Sequence, residues 1–363
     1  AVLLPDGTYQ AVTEEVPVRT VDPQERRANE MPETLDYTGD KGYKLVDVLD
    51  KKVSMEEFIA QISEEDLIAI FRGEGMCSPK VTPGTAAAFG GLTPELQEFG
   101  IPAACCTDGP SGLRFDCGTR AFSMPNGTLL GCTFDLPLVE DLYEMAGREM
   151  RQNRVDALLG PGMNIHRNPL CGRNYEYYSE DPYLSGMLAA AVIRGVQSKS
   201  GCGVTIKHFA CNNQEDNRMG VDSCVSERAL REIYLRGFEI AVKEGNPVSI
   251  MTSYNLINGI HAANSKDLCM TVARKEWGFD GAIMSDWNTT VPEDGSVPWK
   301  CVAAGNDIIM PGNPDDDKNI RQAYKEGKLT EEEIRNCAGH LVSMIRRLWA
   351  TATEFGQNIP QSG

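Results

Sequence analysis

Seven short apolar runs, alternating with longer stretches of helical periodicity, set the limits on what this chain can fold into. They are IPAACC (101–106), LLGCTF (129–134), VDALLGP (155–161), GVTIKHF (203–209), VSIMTSY (248–254), GAIMSDW (281–287) and NDIIMPG (306–312). Helical patterns lie between them near 135–154, 181–199, 226–244, 265–277 and 294–304. A run without polar alternation has no face to offer water, so its strand must be covered on both sides. Alternation of such strands with helices builds a parallel sheet wrapped by helices. Six to eight units over about 300 residues predict an α/β fold, a (β/α)8 TIM-like barrel with room for irregularity in its first strands. A doubly wound sheet fits that number less well. Ser54 and Glu57 form a capping box for a helix expected to run to about Phe71, and Asp181-Pro182 starts another. Thr330 with Glu333 caps a last helix ending near Trp349.

The first 45 residues differ in texture. VLLPDGTYQAV reads as a hairpin about a Pro-Asp-Gly turn, and a polar stretch rich in Glu, Pro and Asp follows. The expected organisation is a linker or N-terminal arm from a preceding domain over 1–45, a barrel over 46–350 and a polar tail over 351–363. With 363 residues, 41 % of them hydrophobic, the chain can fill one such core. A net charge of −17 repels phosphates, which speaks against nucleic acid or an anionic membrane as partner. No apolar run reaches the roughly 18 residues of a membrane span. Four histidines fall at no ligand spacing and twelve cysteines form no CxxC pair, so neither metal nor cofactor is expected. Cysteines inside apolar stretches read as buried, reduced thiols of a cytoplasmic protein. The chain starts at Ala1, without methionine or a basic-then-apolar leader. The expectation is a trimmed or processed piece of something longer, with secretion left open by the trimmed start. A homo-oligomer is compatible with this composition.

Barrel enzymes carry their active sites at the C-terminal ends of the strands. Here those ends read Cys106-Thr107-Asp108-Gly109, Lys207-His208, Ser253-Tyr254-Asn255 and Ser285-Asp286-Trp287. The loop GRNYEYYSEDP (172–182) adds Arg173, Glu176 and Glu180; NNQEDNR (212–218) adds Glu215, Asp216 and Arg218. Each has a plain structural reading. A lone histidine after a strand is commonly a satisfied core residue, an arginine can pair with a nearby carboxylate, and Met251 is core by default. Charge gathered at several strand ends on one rim is harder to explain structurally. Directed hydrogen bonds from charged groups and stacking on Trp or Tyr suit a sugar. Glycoside cleavage needs two carboxyl groups, and Asp286 suits the nucleophile, with Lys and Arg charges expected to hold it ionised.

The motifs TDGPSGLR (107–114), GRNYEYYSEDP, KHFACNNQEDNR (207–218), MTSYN (251–255) and GFDGAIMSDW (278–287) resemble glycoside hydrolase family 3, the β-glucosidase group, in order and spacing. The resemblance runs from about residue 54 to 350. It implies a retaining exo-β-glycosidase with Asp286 as nucleophile. It further implies that Asp108, Arg114, Arg173, Lys207, His208 and Arg218 hold the sugar next to the scissile bond. Tyr254 would lie close to the nucleophile, with Met251 and Trp287 lining the pocket. Asp108 in that group receives the outer hydroxyls of glucose, which favours a β-glucoside or short β-linked oligosaccharide; a β-xylosidase or arabinosidase is the alternative. The loop ACNNQEDNRMGVDS departs from the histidine-containing acid loop of the N-acetylglucosaminidase branch. In the glucosidase branch the acid/base is a Glu on an α/β sandwich domain, for which this chain has no room. Circularly permuted members place that domain before the barrel, and the arm over 1–45 suggests this type, with the acid supplied by another domain or chain. Supply of the proton by Glu176, Glu180 or Glu215 is the lesser reading. Two readings of other classes are a Schiff-base lyase using Lys207 and a non-catalytic glycan-binding barrel.

Overall fold

Strand residues here are buried on both faces because two different layers cover them. The computed structural model describes residues 2–13, 22–76 and 78–354, without the side chains of 350–354. Its strands are β1 (Val2–Leu3), β2 (Tyr9–Gln10), β3 (Ala87–Gly90), β4 (Ala103–Asp108), β5 (Ala157–Gly162), β6 (Gly203–Phe209), β7 (Asp222–Ser223), β8 (Ser249–Thr252), β9 (Leu256–Ile257), β10 (Ile260–His261) and β11 (Ala282–Met284). In the main sheet, alternate residues enter separate apolar clusters, as the two-residue period of a strand requires. Ala104, Cys106, Ala157, Leu159, Met251, Ala282 and Met284 belong to one cluster, shared with the last helix. Leu158, Val204, Ile206, Ile250 and Ile283 belong to the other, shared with the helices Leu136–Gln152, Pro182–Gln197 and Arg236–Gly245.

The main sheet runs β11-β8-β6-β5-β4-β3, all parallel except β3, which is antiparallel to β4. Single bridges continue it around a ring. Met284 meets Ile308 and Arg72 meets Ile309, both parallel, while Glu74 meets Ala88 antiparallel. Six strands and two bridged segments thus stand as a (β/α)8-type barrel, irregular at its first strands as expected. The reversal at β3 rests on Gly90 and Gly91. Gly90 has φ +89°, and a Cβ at Gly91 would sit 1.8 Å from the Ile101 carbonyl oxygen, so only glycine allows this approach.

Several expectations need correction. LLGCTF is not a strand: the Asn126 side chain accepts from the Leu129 N–H and opens a helix over Gly127–Gly131. A short apolar run cannot by itself distinguish a strand from a buried helical turn. The helix expected from Ser54 to Phe71 breaks, because Ser63 caps a new start; the pieces are Met55–Ala60, Glu64–Ile68 and a 3-10 turn at Ala69–Phe71. NDIIMPG contributes bridges at Ile308 and Ile309 and no longer strand. The 265–277 pattern forms a π-helical stretch, Asp267–Glu276, and a helix at Pro314–Lys325 was not anticipated. The N-terminal hairpin pairs Val2 with Gln10 and Leu3 with Tyr9. The final helix, with Thr330 and Glu333 exchanging cap bonds, runs to Glu354, into the segment assigned to a polar tail; 355–363 lie outside the described residues. Among the described residues no helix is long and apolar enough to cross a membrane, and no group of three or more candidate metal ligands gathers.

One buried carboxylate fixes the end of the barrel that carries β11. Asp307 is fully buried; its Oδ2 accepts from the Ile283 N–H at 2.7 Å and from Arg274 at 2.5 Å, and Oδ1 lies 3.0 Å from His340 Nδ1. The acid thereby ties β11 to the π-helical stretch and to the last helix. Removing one partner of a buried pair leaves the other charge without compensation. Asp307→Ala is expected to lower the stability of the folded chain by about 3–5 kcal/mol, read from the urea midpoint. A midpoint unchanged from the native value would show that this node does not hold the barrel.

Candidate active site

The polar groups converge because parallel strands all end on the same rim. Asp108 ends β4, Lys207 and His208 lie near the end of β6, and Tyr254 and Asp286 each follow their strand by two residues. Lys207 Nζ donates to Asp108 Oδ1 at 2.6 Å. His208 Nε2 stands 3.7 Å from Asp286 Oδ2. Arg173 pairs with Glu176 at 2.5 Å, and Arg218 pairs with Glu215 at 2.9 Å. The Arg218 guanidinium also lies 4.4 Å from the centroid of the Tyr254 ring, a cation–π contact.

Asp286 is buried, with Oδ1 accepting from the Trp287 N–H at 2.7 Å. Its Oδ2 is also buried and has no hydrogen-bond partner among the described residues. Burial raises the Asp286 carboxyl above its usual value, and Arg173, Lys207, the Trp287 amide and the Tyr254 hydroxyl draw it down without cancelling that shift. The cations expected from the sequence are therefore in place, but desolvation outweighs them. At Asp108 the balance is opposite. Burial there is overcome by the charges of Lys207 and Arg173, which leave the carboxyl below the usual range. Two carboxyls on one rim thus have different proton affinities. His208 is pushed well below 6.5 by burial and by the neighbouring Arg173, Lys207 and Arg218, so it is neutral.

The structure brings Asp108, Arg173, Lys207, His208, Arg218, Tyr254 and Asp286 together. It does not bring in the Arg114 side chain, which is 64 % exposed and pairs with Asp116 at 3.1 Å. Its backbone remains close, donating to the Asp108 carbonyl at 2.9 Å. Met251 is in register with Met284 and belongs to the apolar cluster that includes Leu159 and Ile309. Trp287 is half-buried against the same cluster. Of the three other glutamates, Glu176 is buried and raised, largely by desolvation, while its carboxylate faces Arg173. Glu180 is exposed and lowered by its own backbone N–H and by Ser179.

Three supporting residues escaped the sequence reading. Asn164 clamps the His208 backbone, accepting from its N–H and donating to its carbonyl, both at 2.8 Å. Tyr177 and Asn212 sit behind the His208 ring, with the Tyr177 hydroxyl 3.1 Å from Nδ1 and Asn212 Nδ2 3.0 Å from that hydroxyl. The available signal was two polar side chains inside motifs already singled out, GRNYEYYSEDP and KHFACNNQEDNR.

A rim of paired carboxylates and cations at the C-terminal strand ends of a barrel is the place of an enzyme active site. Residues 39–344 match the glycosyl hydrolase family 3 N terminal domain, and the chain belongs to that family. A β-glucosidase of Ruminococcus albus is 51 % identical over 353 residues, covering 95 % of this chain and 37 % of that protein. An exo-α-(1→6)-L-arabinopyranosidase of Bifidobacterium longum is 41 % identical over 263 residues, 69 % of this chain and 34 % of that protein. The solved structure of a β-glucosidase from Paenibacillus barengoltzii superposes with a TM-score of 0.88 at 51 % identity, covering 96 % of this chain and 39 % of that one. The chain therefore spans well under half the length of these relatives.

The neutral histidine has a thermodynamic consequence. The unfolded chain takes up a proton at His208 near pH 6.5, the folded chain only well below it. Stability from this residue is therefore lost as pH falls below 6.5, because the unfolded state then binds more protons. Below that pH, His208→Gln is expected to flatten the fall of unfolding free energy by up to about 1.4 kcal/mol per pH unit. Parallel urea titrations between neutral and mildly acidic pH measure this. Equal slopes in the two proteins would mean that His208 titrates alike in both states.

Proposed function

We propose that this chain is the nucleophile-bearing barrel, over about 46–350, of a retaining exo-β-glycosidase, most closely a β-D-glucosidase. The observation that carries this reading is the state of Asp286. One carboxylate oxygen is fixed by the Trp287 amide, and the other has no hydrogen-bond partner of ordinary geometry among the described residues, with Lys207, Arg173 and Tyr254 close by. In the proposed reaction Oδ2 attacks the anomeric carbon, the glycosidic C–O bond breaks, and a general acid protonates the departing oxygen. Water then attacks the glycosyl-enzyme ester, gives up a proton to the same group acting as base, and releases Asp286. Asp108, ionised and oriented by Lys207, accepts hydrogen bonds from outer sugar hydroxyls. His208 and Arg173 face the same sugar, Arg218 braces Tyr254 against the nucleophile, and Met251 and Trp287 form the apolar wall. Arg114 joins the sugar only by turning away from Asp116.

In this reading the acid/base comes from another domain or chain, which is supported by relatives more than twice as long as this chain. The internal candidates are otherwise engaged: Glu176 with Arg173, Glu215 with Arg218, and Glu180 in solvent with a lowered carboxyl. The ion pair between Lys207 and Asp108 favours a glycosidase over a Schiff-base lyase. The arabinopyranosidase among the relatives keeps a pentoside substrate as the second reading. Eleven described cysteines are free, which supports a reducing, cytoplasmic setting.

Replacement of the nucleophile tests the proposal. In the full-length protein Asp286→Gly is expected to lower kcat on an aryl β-glucoside at least about a thousandfold. Azide entering the vacated space should restore turnover and yield the α-glycosyl azide, the product of attack from the nucleophile's side. Undiminished hydrolysis by the variant, or a β-configured azide product, would overturn the assignment.

A further inference from the structure

A line of hydrogen bonds runs from Arg218 through the interior to His208, beside Asp286, and its polarity is determined at one end. Arg218 can only donate, and its NH1 reaches Glu215 Oε2 at 2.9 Å. The Glu215 carboxylate can only accept, so the Asn212 amide must turn its NH2 group toward Oε1, 3.0 Å away. The same Nδ2 has a second hydrogen, which it gives to the Tyr177 hydroxyl oxygen at 3.0 Å. Tyr177 is thereby left to donate its own proton, and the acceptor facing it is His208 Nδ1 at 3.1 Å. Asn212 Oδ1 remains buried with no hydrogen-bond partner among the described residues, which is the cost of holding the amide in this orientation.

We propose that Tyr177 is a positioning residue that fixes His208 as the tautomer protonated on Nε2, the nitrogen 3.7 Å from Asp286 Oδ2. A neutral imidazole has a single N–H. With Nδ1 accepting from Tyr177, that N–H points at the nucleophile and at whatever sugar hydroxyl enters beside it. The Asn164 clamp on the His208 backbone keeps the ring from turning away. The second role of the NNQEDNR loop is then to set the direction of this line from a distance, with Glu215 acting on His208 through Asn212 and Tyr177. Burial and the three nearby cations keep the ring neutral. Only the catalytic consequence rests on the glycosidase reading above. The tautomer itself does not.

Nitrogen NMR of the full-length protein labelled with 15N-histidine separates the two matters. Protonated and unprotonated ring nitrogens have distinct shifts, and His208→Gln identifies the resonances. The native protein is expected to show His208 protonated on Nε2 and bare on Nδ1. Glu215→Gln reverses the logic without removing any group beside the ring. Its carbonyl oxygen must face Arg218, so its NH2 faces Asn212, the Asn212 amide turns over, and Tyr177 donates to Asn212 Oδ1. His208 must then donate from Nδ1, and its resonances should shift toward that tautomer. In the Tyr177→Phe background, Glu215→Gln should leave His208 unaffected. Tyr177→Phe alone should move the Nδ1 resonance to that of an acceptor without a donor. On an aryl glucoside, Glu215→Gln should lower kcat/KM roughly five- to tenfold, the worth of one misdirected hydrogen bond. A native His208 protonated on Nδ1, or a Glu215→Gln protein with the native tautomer, would overturn the proposal whatever the protein hydrolyses. The expected tautomers in a protein inert toward glycosides would instead sink the glycosidase reading alone.

Discussion

Taking a carboxylate out of water is among the most costly things a fold can do, and this barrel does it at Asp286. Desolvation of an ion costs several kcal/mol unless cations and hydrogen bonds replace the lost water. No single segment of this chain can supply them. Lys207 comes from β6, Arg173 from the loop after β5, Tyr254 from beyond β8 and the Trp287 amide from the chain just past β11. The parallel strands β5, β6, β8 and β11 deliver all of them to one point. The compensation that results is partial, and the carboxyl stays raised.

That arrangement makes the opposite end of the barrel part of the site's energetics. Asp307 joins β11 to Arg274 and His340, and so fixes the height at which Asp286 emerges. The irregular start of the barrel has a related role. Reversal at Gly90–Gly91 lets β3 pair antiparallel with β4, and the bridges at Glu74 and Arg72 then close the ring. The site depends on that closure because Asp108 ends β4. Its partner Lys207 anchors it two strands away.

The parts of this structure legible from sequence were those governed by local pattern. GVTIKHF, VSIMTSY and GAIMSDW read as covered strands because apolar residues occupy both faces, and all three are strands. LLGCTF satisfied the same pattern but is a helical turn, since the Asn126 cap decides the matter and lies outside the run. AAFG was missed because small residues carry little strand signal, and its reversed direction depends on contacts with distant segments. Convergence of Asp108, Lys207, His208, Tyr254 and Asp286 followed from their common place at strand ends. Where a long side chain turns after leaving the strand does not follow from pattern: Arg114 sits in the motif beside Asp108 and bends to Asp116. Tyr177 and Asn212 were beyond reach for the same reason, because their effect on His208 is a relation through space.

The central claim is that Asp286 forms the bond to the sugar. A slowly turned-over 2-deoxy-2-fluoro-β-glucosyl fluoride, incubated with the full-length protein and followed by peptide mapping in a mass spectrometer, tests it most directly. The account predicts one added fluoroglucosyl group, on the peptide that carries Asp286, with loss of activity in step with labelling. A label on any other side chain would contradict it, as would continued hydrolysis of aryl glucosides with no label at all.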